Sequence, residues 1–148
     1  MFAEFDYTNY PIVHITLNNT IENDDDFNDF VNKWSNLNNN KINYELIFDT
    51  QNCGFIHPKY CIYMAFFIKK LKKEKIKYLQ KSTIYVYNPY ILQLLKLIFY
   101  FEKPIAPIEI IFKNIQNIQN IQNIQNIQNN ENNEVENNNI IKKEIINI

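Results

Sequence analysis

Arginine is absent from this 148-residue chain: all fifteen cationic side chains are lysine. A forked guanidinium is the group best suited to grip phosphate or carboxylate through two parallel hydrogen bonds, so an anion clamp of that kind is excluded. Glycine occurs once, at Gly54. A phosphate-cradling loop of the P-loop or dinucleotide type needs several glycines, and both are excluded. The two cysteines, Cys53 and Cys61, make no disulfide framework. Neither sign of charge dominates, with sixteen acidic residues against fifteen basic and a net charge of −1. The basic field that a dedicated nucleic-acid binder uses to neutralise phosphates is therefore missing. The most apolar stretch, Ile84–Phe101, is broken by Asn88, Pro89, Gln93 and Lys96, so no transmembrane segment is expected. The opening MFAEFDYTNY has neither the charged nor the apolar region of a secretory signal. The expected location is the cytoplasm or another reducing compartment.

Hydrophobic residues make up 46% of the chain and aromatics 15%, enough for one domain with a packed core. Asn and Ile together fill roughly a third of it, far above ordinary usage. That bias, with no arginine and one glycine, resembles the product of an AT-rich genome. Polar positions are discounted accordingly as functional signals.

The stretch Leu46–Leu71 is the most informative. Tyr44–Phe48 is a short apolar run of strand length, Asp49 ends it, a turn falls around Gly54, and a helix opens at Pro58. Upstream, Pro11–Leu17 alternates β-branched residues around His14 and predicts a strand. Glu4–Tyr10 reads either as a short edge strand or as a lead-in. Asp24–Asp26 offer an N-cap and negative charge to a helix over Asp25–Leu37, whose Phe27, Phe30, Val31, Trp34 and Leu37 recur at helical spacing. Downstream, the pattern predicts a helix over Lys59–Glu74, with lysines in its last turns. It then predicts a strand over Ser82–Tyr87, an Asn88-Pro89 turn, an apolar helix over Tyr90–Phe101, and a strand over Ile108–Phe112. The order β-α-β-α-β-α-β predicts an α/β domain over residues 1–113, with a small four-stranded, mostly parallel or mixed sheet. From Asn114 five tandem Asn-Ile-Gln triplets run through Gln128, and residues 114–148 read as a low-complexity tail, a slippage expansion or a self-associating segment.

Chemistry is sparse. Cys53, His57 and Cys61 form a C-x3-H-x3-C array that His14 could complete as a zinc site. Structural zinc uses tighter cysteine pairs, and a buried small hydrophobe accounts better for Cys61. Cys53 with His57 has the elements of a nucleophile and base, without an orienting third group beyond Asp49. No catalytic residue, metal or cofactor is expected. The lysines of Lys69–Lys77 suit a solvated helix end and also contact with an anionic membrane surface. In a parallel sheet the working edge lies where strand C-termini meet helix N-termini. Asp49, Thr50, His57, Lys59, Tyr60 and Asn88 belong to that edge as candidate binding residues, and Tyr90 lies beside them. Free N–H groups at the start of the second helix suit an anion or a partner carboxylate.

The run Ile47-Phe48-Asp49, Thr50–Gly54, Phe55-Ile56-His57-Pro58-Lys59-Tyr60 resembles the STAS family, the anti-sigma-factor-antagonist-like fold. Its members carry an apolar strand, Asp, a variable loop, then Phe-Ile-Asp-Ser-Ser-Gly before a helix. The resemblance implies a STAS-like fold and a non-enzymatic protein-interaction role with a protein partner. The family's phosphorylatable serine is replaced here by Pro58 and Lys59, so the resemblance does not extend to the phospho-switch. Ile84-Tyr-Val-Tyr-Asn-Pro-Tyr-Ile-Leu, its apolar helix and Lys103-Pro104 resemble the lipid-binding half of the CRAL-TRIO family. That second resemblance implies a lipid- or membrane-associating domain as the alternative. The chain is short for that whole domain and lacks its helical N-terminal lobe.

Overall fold

The computed structural model describes residues 1–113 and the backbone of 142–146. Five strands within residues 1–113 form one mixed sheet: β1 (Ala3–Asp6), β2 (Ile12–Leu17), β3 (Tyr44–Asp49), β4 (Leu79–Val86) and β5 (Ile108–Phe112). They lie side by side in sequence order. β2, β3, β4 and β5 are mutually parallel, and β1 pairs antiparallel with β2. The backbone of β6 (Lys142–Ile146) adds an antiparallel strand to the free edge of β5. Three helices connect the parallel strands: α1 (Asp24–Asn39), α2 (Pro58–Lys72) and α3 (Pro89–Phe101).

Each helix begins where a side chain satisfies its free N–H groups. Asn23 accepts from Asp26 N at 3.0 Å, His57 Nδ1 from Lys59 N at 3.2 Å, and Asn88 from Ile91 N at 3.1 Å. Pro58 and Pro89 fill first-turn positions whose N–H would be unbonded anyway. Asp24, Asp25 and Asp26 occupy the first turn of α1, not its cap, and place negative charge at the positive helix end. At the far end of α2, Lys77 turns its ammonium back onto the carbonyls of Leu71, Lys72 and Glu74.

Strand residues alternate between two environments. Val13 and Ile15, Tyr44, Leu46 and Phe48, Ser82, Ile84 and Val86, and Ile108 and Ile110 are buried against the helices. Their neighbours point to the other face, where Asp6, His14, Ile47, Thr83 and Glu109 stand in one cross-strand row. α1 packs on α2 and α2 on α3. Strands added in sequence order by right-handed crossovers put all three of these helices on the same side of the sheet.

The expected four strands are all present and parallel, but the sheet is wider than four. β1 is short and carries Glu4 and Asp6, which left its status open from sequence. β6 lies within what reads as tail, and three of its five residues are charged. β4 begins at Leu79, three residues before the expected start. Tyr44 pairs with Leu79 and Glu45 with Lys81, so Gln80 is an extra residue in the strand. That irregularity breaks the alternation through which the strand would have been read. The triplet repeats lie outside the described residues.

Candidate functional site

The strand-C-terminal edge is built around the loop from Thr50 to His57. Thr50 is buried and donates its hydroxyl to Tyr85 O at 2.7 Å, tying the end of β3 to β4. Asp49 turns its carboxylate to Gln51 N at 2.8 Å. Gly54 N bonds Asn19 O at 2.6 Å, and a Cβ at Gly54 would meet that oxygen at 3.3 Å, so the chain's one glycine stands where the backbones of two loops approach closely. The Tyr90 hydroxyl at the start of α3 both accepts from Ile56 N (3.0 Å) and donates to Ile56 O (2.9 Å), and the Phe55 ring stacks on it at 6.1 Å.

The six residues expected at this edge are all there, but they do not meet at one point. Lys59 and Tyr60 converge on Asp24 of α1: Lys59 Nζ and the Tyr60 hydroxyl each lie 3.0 Å from Asp24 Oδ1. The hydrogen bond from Lys59, and then that from Tyr60, holds the Asp24 carboxyl below its ordinary range, and the same pairing raises Lys59. Asp49 serves its own turn and Thr50 crosses to β4. His57 and Asn88 cap separate helices. Each side chain is thus engaged in holding the edge together. Asp24, readable in sequence only as part of a helix start, links α1 to α2 through these polar contacts, beside the ring contacts of Phe27 and Trp34 with Tyr60, Tyr63 and Phe67.

Between the sheet and the helix layer runs an apolar cavity of about 140 Å³. From α3 it is lined by Ile91, Leu94, Leu95, Ile98 and Phe99, from α2 by Tyr60, Cys61, Met64 and Ile68, and from the sheet by Phe48, Ile84 and Ile108. Thr50 and Ser82 add hydroxyls to an otherwise hydrocarbon wall. The sequence signal for it was the excess of large apolar residues in α3: Ile91 and Leu94 are buried, while Leu92, Leu95, Leu97, Ile98 and Phe99 are only partly so. A helix that merely covered a sheet would need a narrower apolar stripe.

Cys53 is half-buried on the cavity wall, and burial pushes its thiol up to about 11. Cys61 is buried and raised in the same direction. Neither is a thiolate near neutrality, the form a nucleophile or metal ligand requires. Among the described residues no group of three or more His, Cys, Asp or Glu side chains is placed to hold a metal ion. No helix among them is long and apolar enough to cross a membrane. No family model, no curated protein and no solved structure matches this chain.

Proposed function

We propose that this chain is a non-catalytic binding domain that takes the end of an acyl chain, or an apolar ligand of similar bulk, into the space between its sheet and α2–α3. The cavity carries this reading. Its volume of about 140 Å³ is close to that of an engineered apolar cavity that stays dry and accepts benzene. The resemblance of Ile84–Lys103 to the lipid-binding half of CRAL-TRIO points the same way. The two free thiols, Cys53 and Cys61, fit a reducing compartment such as the cytoplasm.

The test is titration with a fatty acid whose fluorescence rises in apolar surroundings. Saturable uptake by the folded chain, displaced by unlabelled fatty acid, is the expected result. Leu95→Phe, which extends a lining side chain into the void, should weaken uptake about tenfold while leaving the circular dichroism spectrum unchanged. Absence of saturable uptake by folded protein removes the reading.

A second reading, a STAS-like protein-interaction module, is supported by the four parallel strands in sequence order and by Phe55. That ring is 63% exposed beside the start of α2, an aromatic of the kind that anchors protein interfaces. Phe55 does not line the cavity, so Phe55→Ser separates the two readings: it leaves fatty-acid uptake intact and removes the contact that a protein partner would use.

A further inference from the structure

The end of the molecule opposite the candidate edge has a different character. Because β2 to β5 are parallel, the turns entering them all lie at one pole. Backbone hydrogen bonds join these turns to their neighbours: Glu45 N to Pro11 O, Tyr44 N to Tyr78 O and Ser82 N to Pro107 O, each 3.0 Å. Large apolar side chains project into solvent from three of them. Ile42 is 51% exposed in the turn after α1, Ile76 59% after α2, and Tyr100 and Phe101 are 83% and 52% exposed at the end of α3. None of the four lines the cavity.

Lysines flank these side chains. Lys41 adjoins Ile42, Lys75 and Lys77 bracket Ile76, and Lys73 and Lys103 stand exposed close by in sequence. Of the nearby carboxylates, Glu102 is paired with Lys72 Nζ at 2.6 Å, while Glu74 and Asp6 keep their charge in hydrogen bonds to neutral partners, Asn38 Nδ2 at 2.5 Å and Thr8. Glu45 lies near the start of β3 on the sheet face away from the helices. The other pole carries Glu22, Asp24, Asp25, Asp26 and Asp49, with Lys59 paired to Asp24. Among the described residues, lysines thus outnumber carboxylates around this pole, and carboxylates outnumber lysines at the other.

We propose that the basic pole docks on an anionic phospholipid surface. Ile42, Ile76, Tyr100 and Phe101 enter the headgroup region, and Lys41, Lys73, Lys75 and Lys103 beside them face the lipid phosphates and carboxylates, while Lys77 closes the end of α2. The two features complement each other on such a surface. A lysine near an anionic bilayer strengthens binding about fivefold. Exposed Ile and aromatic side chains supply the apolar insertion that charge alone lacks. The acidic pole is held away from the membrane by the same field. This inference does not rest on the cavity, and either one can fail without the other.

Co-sedimentation of the full chain with phosphatidylcholine vesicles, and with vesicles in which about a third of the lipid is phosphatidylserine, tests it. Binding should require phosphatidylserine and fall steeply as salt screens the lysines. Lys73→Gln with Lys75→Gln should weaken it about 25-fold. Ile76→Asp with Phe101→Asp should abolish it, and Phe55→Ser at the opposite pole should leave it unchanged. All are surface substitutions, and an unchanged circular dichroism spectrum excludes unfolding. Three results overturn the proposal: no binding to phosphatidylserine vesicles, binding that the pole variants do not alter, or a dimer in light scattering that Ile76→Asp dissolves while vesicles bind nothing. The last would assign this pole to a second copy of the chain.

Discussion

Cys53 shows how one side chain sets a response of the whole fold to pH. Burial raises its thiol from the ordinary 9.0 to about 11, so the folded chain holds the proton more tightly than the unfolded one. The stabilisation from keeping the thiol neutral is complete below pH 9 and is lost as pH rises from 9 to 11. Tyr44 behaves the same way one step higher: burial pushes its phenol up to about 12 from 10.0, although the indole N–H of Trp34, donated to its oxygen at 3.0 Å, opposes the shift. Thermal melts across alkaline pH should show a decline beginning near pH 9. In Cys53→Ala the decline should be shallower between pH 9 and 11, because Cys61, raised by burial from the same ordinary value, still contributes there and Tyr44 adds to it above pH 10. An equally steep decline in the variant would mean that the Cys53 thiol is not held in a desolvated site. The sequence places Cys53 in a loop beside His57, where a reactive thiol is a natural thought. Its burial arises from packing against the core around the cavity, which local sequence does not report.

At the scale of elements, capping governs the site. The spacing of apolar residues located all three helices and the four parallel strands, because period and turn chemistry are local properties. His57-Pro58 was readable as a helix start, and Asn88-Pro89 as the turn leading into one, for the same reason. What was not readable is that the expected binding residues are occupied in caps and crossings. Lys59 and Tyr60 reach Asp24, 35 and 36 residues away in the chain, and only the packing of α2 on α1 brings them there. The bulge at Gln80 was hidden because it breaks the alternation on which strand reading depends. Removing the cap of α3 tests the importance of these starts. Asn88→Ala leaves Ile91 N unbonded and should cost about 1 kcal/mol in chemical denaturation. Because the Tyr90 hydroxyl still holds Ile56, α3 should shift little. A loss below about 0.3 kcal/mol would mean that water or a neighbouring group replaces the cap.

At the scale of the molecule, the described core is drawn from residues 2–110: its buried members run from Phe2 of the lead-in to Ile110 of β5. A chain ending at Lys113 should therefore unfold in one cooperative transition, with a midpoint within a few degrees of the full chain's. A non-cooperative melt of residues 1–113 would show that β6 contributes more than cover for the edge of β5. The arrangement of strands has a further consequence, which concerns how the chain is made. The sheet grows from one edge toward the other in the order in which its residues are synthesised. The β1–β2 hairpin can form first, and each later helix and strand then docks on a neighbour already in place. No strand has to be inserted between two others. A domain of this kind can assemble while its C-terminal half is still being translated, each new unit covering the strand edge that the previous one left exposed.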